Sequence, residues 1–213
     1  MPPRPVPCVI PGYTRVTELP AGRFRFIALD VETANGFGGS VCQIGLACVR
    51  PDNHILSYAT YVNPLQDFAA FNTRLHGIDA QTVRNAPDFP QTWRQMLPLL
   101  RIHHLVQHSN FDKSAINAAC RAADLPRPDL SWSDSVKIAR EVWPEFRGKG
   151  GHGLAHLKQA LGLEFEHHDA GEDARAAALV VLHAERHSKQ PFAALTRQMR
   201  RGQMTMDLQA PGD

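Results

Sequence analysis

The feature that most constrains this chain is an apolar run that ends in two carboxylates. The segment FRFIAL is largely apolar, as expected for a buried central strand, and Asp30 and Glu32 follow at its end. Residues two apart on a strand point to the same face, so their carboxylates should lie roughly 6–7 Å apart. Such charges repel each other unless a cation lies between them. The pair indicates either a divalent metal site or a solvated strand end that carries two acids by chance.

Composition narrows the class of protein. The chain has 213 residues, of which 43% are hydrophobic and 21% charged, values typical of one globular domain with a layered core. No apolar run approaches the roughly 20 residues of a membrane helix, and the four cysteines follow no zinc or disulfide spacing. We therefore expect a cytoplasmic protein without a membrane partner. Residues 26–187 carry 15 basic and 18 acidic side chains, which argues against a protein that holds nucleic acid by charge alone.

The order of sequence patterns predicts an α/β fold. Residues 1–22 hold six of the sixteen prolines and read as an irregular N-terminal arm. The runs SVCQIGLACVR and HILSYATYV predict a hairpin, because Pro51-Asp52-Asn53 between them is a turn signal. From residue 79 onward helical spacing alternates with short strands. We expect one domain over 23–187 with a mixed sheet of about five strands flanked by helices, and a basic polar tail over 188–213.

Three further residues are candidates for the chemistry. Asp112 follows Phe111 where a short strand meets a helix, but an Asp is also a favoured helix N-cap. Asp173 lies on the apolar stripe of the last long helix, where a carboxylate is costly unless paired or metal-bound, although it would also face the helix dipole favourably. His168 precedes that helix and could take a proton from water at cellular pH. Periodicity alone does not separate His168 from His167.

Three segments in this order carry a family resemblance: FIALDVETAN, LVQHSNFDKSAI and HHDAGEDARAAA. They resemble the motifs of the DEDD exonuclease superfamily, in its DEDDh branch, and are similar to those of the proofreading epsilon subunit of bacterial DNA polymerase III. LHGIDAQTVRNAPDF, between these motifs, resembles the family's HGI segment, and SWSDSVKIAREVWP with GLAHLKQALGL resembles its later helices. The H-x-x-x-x-D spacing of the third motif selects His168, with Asp173, over His167.

The resemblance implies an RNase H-like fold and a 3′→5′ exonuclease that binds two Mg²⁺ or Mn²⁺ ions. It would release nucleoside 5′-monophosphates from single-stranded or frayed 3′ ends of DNA, in proofreading or repair. RNA 3′-end trimming and a non-catalytic 3′-end-binding subunit remain alternatives. The resemblance implies that four carboxylates bind the metal ions: Asp30, Glu32, Asp112 and Asp173. It also implies that His168 is the general base. Three further residues would contact the terminal nucleotide: Thr33, His76 and Phe111.

Two segments need separate expectations. The common second motif reads H-N-x-x-F-D, whereas this chain has Gln107 and His108 at the first two positions, so the role of the family's Asn in ordering the site is open here. In the tail, Gln203–Leu208 is similar to the glutamine-led peptides that dock on the sliding clamp. Contact with a clamp or polymerase is one reading of this peptide, and a terminus with chance methionines is the other.

Overall fold

The computed structural model describes residues 12–148 and 150–197. Its centre is one six-stranded sheet with the order β1-β4-β3-β2-β5-β6. β2 is antiparallel to β3 and parallel to β5, while β1 runs parallel to β4 and β6 parallel to β5. The strands are β1 Tyr13–Val16, β2 Phe26–Thr33, β3 Val41–Val49, β4 Ile55–Tyr61, β5 Leu105–Gln107 and β6 Trp132–Asp134.

Helices cover both faces of this sheet. The helices are α1 Ala70–His76, α2 Ala80–Val83, α3 Phe89–Arg101, α4 Phe111–Ala122, α5 Ser135–Val142, α6 Leu154–Leu161 and α7 Ala170–Ser188, with a 3₁₀ turn at Pro144–Phe146. Alternate residues of β2 point to opposite faces. Ile27 and Leu29 pack with α3 and α4, whereas Phe26 and Ala28 pack with α5, α6 and α7. The predicted mixed sheet flanked by helices is confirmed.

The β3–β4 hairpin and the helical half of the chain agree with the sequence patterns. β3 and β4 pair antiparallel on either side of the Pro51–Asn53 turn. α3 begins with a capping box in which the Asp88 carboxylate accepts a hydrogen bond from the backbone of Gln91. Pro98 lies inside α3, and the helix continues through it to Arg101. Among residues 12–148 and 150–197, no helix has both the length and the apolar character needed to cross a membrane.

The two ends of the domain differ from the sequence predictions. The expected irregular arm, 1–22, contains β1, which brings the sheet to six strands rather than about five. The side chains of β1 are exposed or half-exposed, so the sequence shows no apolar alternation there. The strand is defined by its pairing with β4, which a local pattern does not reveal. The expected polar tail begins within the domain: Phe192 stacks on Phe26 at 4.6 Å between ring centroids, and Leu195 is 2% exposed. Gln203–Leu208 lies outside the described residues.

Candidate active site

β2 presents the first two candidate ligands on the face that α7 covers. Asp30 is paired in register with Gly45 of β3, and Glu32 with Gln43. Directly opposed residues of an antiparallel pair share a face, so Asp30, Glu32, Gln43 and Gly45 lie together. Asp30 is partly exposed and Glu32 is 9% exposed. The expected pair of carboxylates at the end of a central strand is therefore present in the fold.

Asp112 comes to this pair from the helix beyond β5. Asn110, not Asp112, is the N-cap residue of α4, so the N-cap interpretation of Asp112 is wrong. Instead, one Asp112 carboxylate oxygen accepts a hydrogen bond from the backbone N–H of Val31, at 3.1 Å. Asp112 is 2% exposed, and this bond fixes it between the positions of Asp30 and Glu32 along β2.

Asp173 lies in the first turn of α7 and is 6% exposed. One of its carboxylate oxygens accepts a hydrogen bond from the backbone N–H of His168, at 2.9 Å. Asp169 is the N-cap residue of the helix, and its carboxylate accepts from the backbone of Glu172 at 3.0 Å. The loop and first turn of α7 thus hold Asp173 and His168 in one local unit.

Burial acts on all four carboxylates, and repulsion from other members of the group adds to it at Asp30, Glu32 and Asp112. Burial, followed by the charges of Asp112, Asp173 and Glu32, raises the pKa of Asp30 well above its usual range. Burial and then Asp173 raise the pKa of Glu32 to about 8. Burial raises the pKa of Asp112 to about 7, against the opposing hydrogen bond from Val31. Burial also raises the pKa of Asp173. Such a group is poorly stabilised as anions unless cations are present.

The donor atoms are arranged as a divalent cation would need. Ligand atoms of Glu32, His168 and Asp173 all lie within 4.8 Å of one another. Carboxylate oxygens are the ligands that Mg²⁺ and Mn²⁺ prefer. Because buried carboxylates that raise one another's pKa surround this cluster, the residues present fit divalent metal ions.

The two adjacent histidines have different surroundings. The ring of His168 belongs to the cluster with Glu32 and Asp173, and its backbone adopts a left-handed conformation with φ 70°. The ring of His167 packs edge-on against Phe165 at 4.6 Å between centroids, and its Nδ1 lies 3.2 Å from the second oxygen of Asp173. Burial lowers the pKa of His167. The ring of His168 therefore lies in the predicted site with Glu32 and Asp173. The ring of His167 contacts Asp173 and Phe165 instead.

The three expected nucleotide contacts have unequal freedom to act. The Phe111 ring is 50% exposed and offers an open face at the start of α4. Thr33 is 6% exposed, and its carbonyl oxygen accepts hydrogen bonds from Asn72 at 2.9 Å and from His76 Nε2 at 3.1 Å. The backbone N–H of Ile78 donates to His76 Nδ1 at 3.0 Å. Both ring nitrogens of His76 are thus engaged, which leaves its ring edge and face for a nucleotide.

Gln107 and His108, which depart from the common second motif, have structural partners. The Gln107 side-chain oxygen accepts from the backbone N–H of Lys113 at 2.9 Å. His108 bonds the hydroxyl of Ser135 at 2.8 Å and the carbonyl oxygen of His152 at 3.0 Å. Burial lowers the pKa of His108 to about 4, so its ring is neutral near neutral pH. The two residues that differ from the common motif therefore make structural hydrogen bonds, and Gln107 bonds the residue next to Asp112.

Sequence reasoning did not single out Gln43, Asn72 or Asp169. Gln43 accepts from the backbone N–H of Ala170 at 3.0 Å, and Asp169 forms an ion pair with Arg15 at 3.6 Å. One signal was available: Gln43 is the only amide in the otherwise apolar run VCQIGLACV. The roles of Asn72 and Asp169 depend on contacts with residues 39 and 154 positions away, which a local pattern does not reveal.

Comparison with known proteins identifies nucleases and polymerases that are similar to this chain. DNA polymerase III PolC-type of Streptococcus pneumoniae serotype 2 (strain D39) is 28% identical over 171 residues, which cover 78% of this chain and 12% of that protein. The 3′-5′ exonuclease DinG of Bacillus subtilis (strain 168) is 29% identical over 183 residues, which cover 83% of this chain and 19% of that protein. The chain thus spans less than a fifth of either relative's length.

A solved structure gives the fold. The chain is similar to Exonuclease X in complex with 5′ overhanging duplex DNA, with a TM-score of 0.65 and 18% identity over 81% of this chain and 98% of that chain. The expected RNase H-like exonuclease fold is confirmed. Residues 27–181 match the model of the RNase_T family, whose description is exonuclease, and they include Asp30, Glu32, Asp112 and Asp173. The chain belongs to the RNase_T exonuclease family, and its resemblance to the DEDD exonucleases is confirmed.

Proposed function

We propose that this protein is a metal-dependent 3′→5′ exonuclease that releases nucleoside 5′-monophosphates from DNA. The observation that carries the proposal is the convergence of four carboxylates from β2, α4 and α7, three of them buried and Asp30 partly exposed, with His168 beside two of them. DEDD exonucleases use divalent metal ions, and this donor set suits them. Few structural roles require buried carboxylates that raise one another's pKa.

The four carboxylates would hold Mg²⁺ or Mn²⁺. Bound divalent ions in such a site polarise the phosphodiester and stabilise the charge on the attacking and leaving oxygens. His168 takes a proton at its ring nitrogen from the water that attacks phosphorus, and the bond from phosphorus to the 3′ oxygen of the preceding nucleotide breaks. Phe111 offers its exposed ring to stack on the terminal base. Thr33, whose carbonyl oxygen accepts hydrogen bonds from Asn72 and His76, would contact the terminal nucleotide together with His76.

DNA is the proposed substrate, in proofreading or repair. Exonuclease X binds duplex DNA with a 5′ overhang, and a PolC-type polymerase is among the relatives. A single-stranded or frayed 3′ end suits the exposed Phe111 ring, on which an unpaired terminal base can stack.

The test compares three substrates in one buffer with Mn²⁺: single-stranded DNA, duplex DNA with a 3′ mismatch, and short RNA. We expect labelled mononucleotides from both DNA substrates, at rates above that of the RNA. Faster hydrolysis of RNA would transfer the proposal to RNA trimming. Tight binding of 3′ ends without mononucleotides from any substrate would favour the non-catalytic alternative.

A partner contact is proposed from the sequence of the tail. We infer that Gln203–Leu208 docks on a sliding clamp, because it combines one amide with two apolar anchors, Met206 and Leu208. A peptide of residues 199–213 should bind the cognate clamp with roughly micromolar affinity, since ordering a short segment costs entropy. The matched control carries Gln203→Ala and Leu208→Ala. Equal binding of both peptides would remove this role.

A further inference from the structure

The two helices that carry remote carboxylates begin beside the two strands that flank β2. α7, with Asp173, begins over β3, and α4, with Asp112, begins after β5. Each of these strands contains a buried glutamine: Gln43 in β3 is 4% exposed, and Gln107 in β5 is 3% exposed. A buried amide requires hydrogen-bond partners, and both glutamines find them in the first turn of the adjacent helix.

Gln43 binds two groups at the start of α7. Its side-chain oxygen accepts from the backbone N–H of Ala170, the first residue of the helix, at 3.0 Å. Its side-chain nitrogen donates to the carboxylate of Asp169, the N-cap residue, at 3.4 Å. The first N–H groups of a helix have no partner within the helix, so this amide satisfies one that would otherwise be buried and unpaired. Gln43 is also directly opposite Glu32 in the sheet.

Gln107 makes the corresponding contact with α4. Asn110 occupies the N-cap position, but its side chain makes no capping hydrogen bond within the described part of the chain. The Gln107 side-chain oxygen accepts from the backbone N–H of Lys113, at 2.9 Å, and so provides the missing cap from the strand. Lys113 is adjacent to Asp112. The bond therefore fixes the backbone of the turn from which Asp112 reaches Val31.

We propose that Gln43 and Gln107 are positioning residues that hold the first turns of α7 and α4, so that Asp173 and Asp112 meet Asp30 and Glu32 at the separation the metal ions require. The proposal rests on the proposed function of this site. Residues that orient metal ligands typically change metal affinity or activity by about 10–100-fold when they are removed. A glutamine that served only to fill the core would change stability and leave metal affinity unaltered.

The first test replaces each amide by an apolar side chain of similar length. Gln43→Met and Gln107→Met should each lower kcat by about 10–100-fold and raise the Mn²⁺ concentration for half-maximal rate by a similar factor. KM for the oligonucleotide should change little, because neither glutamine is placed to contact it. The rise in Tm on adding Mn²⁺ should shrink in parallel, a readout that is independent of turnover. Thr92→Val is the matched control, since Thr92 is 3% exposed in α3 and its hydroxyl bonds Asp88.

A second test uses the polarity of the Gln43–Asp169 contact. Gln43→Glu places a carboxylate against Asp169 and should reproduce the loss. Gln43→Glu combined with Asp169→Asn restores one donor and one acceptor at the same net charge, so it should recover most of kcat and of the Mn²⁺-induced rise in Tm. The pair still applies if Gln43→Met does not fold.

Three outcomes decide between the possibilities. Wild-type kcat and Mn²⁺ dependence in both Met variants would overturn the positioning role while leaving the proposed function intact. A double variant no better than Gln43→Glu alone would overturn it for Gln43. A wild-type protein without Mn²⁺-dependent hydrolysis would reject the proposed function instead, and the Mn²⁺-induced change in Tm would then decide the positioning role by itself.

Discussion

At the scale of single residues, the two adjacent histidines before α7 differ in what their backbone and rings contact. The backbone N–H of His168 binds Asp173, which leaves its ring beside Glu32, while the ring of His167 packs on Phe165. His168→Ala should lower turnover by roughly 10²–10⁴, as loss of a general base does. The loss should shrink as pH rises, because hydroxide then replaces the base.

His167→Ala is the matched control for this prediction. It removes the ring contact with Phe165 and the contact of Nδ1 with Asp173 but no proposed base, so we expect a mild effect on kcat. Rates measured from pH 6 to 9 for both variants give the comparison. Equal losses, or a greater loss for His167→Ala, would contradict the assignment of the base.

Asp30 supports a second prediction at this scale. Burial, and then the charges of Asp112, Asp173 and Glu32, raise the pKa of Asp30, so the metal-free protein gains nothing from its charge. Asp30→Asn should abolish hydrolysis while the protein stays folded, and it should remove the increase in Tm that Mn²⁺ gives the wild type. Activity within a few-fold of wild type, with the Mn²⁺ effect intact, would exclude Asp30 as a ligand.

At the scale of secondary-structure elements, the approach of α7 to the sheet depends on Gly45. A Cβ atom at this position would lie 2.0 Å from the carbonyl oxygen of Ala170, a distance that requires the backbone of the helix to move. Gly45 is paired with Asp30, so the same approach sets how near Asp173 comes to Asp30. Close packing in a core tolerates such an addition poorly.

Gly45→Ala should therefore lower the free energy of unfolding by about 1–3 kcal/mol or more, and lower kcat beyond the effect on stability. Gly36→Ala is a suitable control, because no described atom beyond residues 35–37 lies within 4 Å of the Cβ position there and its φ is not positive. Chemical denaturation and steady-state kinetics of both variants provide the measurement. An unchanged kcat in Gly45→Ala would show that catalysis does not depend on how closely α7 approaches the sheet.

How far the sequence predicts these elements depends on how local their causes are. The apolar run before Asp30, the turn at Pro51–Asn53 and the stripe around Asp173 are local patterns, and each element formed where expected. β1 has four residues with exposed or half-exposed side chains, and only its pairing with β4 makes it a strand. Gln43 and Gly45 acquire their roles from Ala170, more than 120 positions away, which no periodicity encodes.

At the scale of the whole molecule, the raised pKa values of the carboxylates make stability depend on pH. Glu32 and Asp112 have pKa values of about 8 and about 7 in the folded protein, above ordinary values of 4.5 and 3.8. The folded state therefore holds these protons more tightly than the unfolded chain does. Their contribution to stability is complete below the ordinary values and is lost as pH rises through about 7 to 8.

We accordingly expect Tm in EDTA to fall between pH 6 and pH 9. Saturating Mn²⁺ should reduce this fall, because bound cations stabilise the deprotonated carboxylates. Asp30→Asn should also reduce it, since one interacting charge is absent. Thermal melts at constant ionic strength give the measurement, and a Tm in EDTA that rises over this range would contradict the expectation.

The N-terminal strand connects the edge of the sheet to the site. β1 lies outside the family match at 27–181, yet Arg15 pairs with Asp169 and the Tyr13 ring lies 4.2 Å from the Arg175 guanidinium carbon on α7. A chain that begins at residue 23 exposes the edge of β4 and loses both contacts, so it should aggregate more readily and melt lower than a chain that begins at residue 12. Light scattering and melting of the two chains test this, and identical behaviour would leave β1 without a role in stability.

The left-handed backbone of His168 lowers the stability of the folded protein at the position of the proposed base. A side chain in this conformation costs about 1–2 kcal/mol, whereas glycine adopts it freely and loses only about 0.5–1 kcal/mol of that advantage through its mobile unfolded state. Laboratory selection for heat resistance alone should therefore accept glycine at this position and discard the proposed base. Engineering a more heat-resistant form of this protein therefore requires that activity be screened at the same time, because the gain at position 168 removes the proposed base.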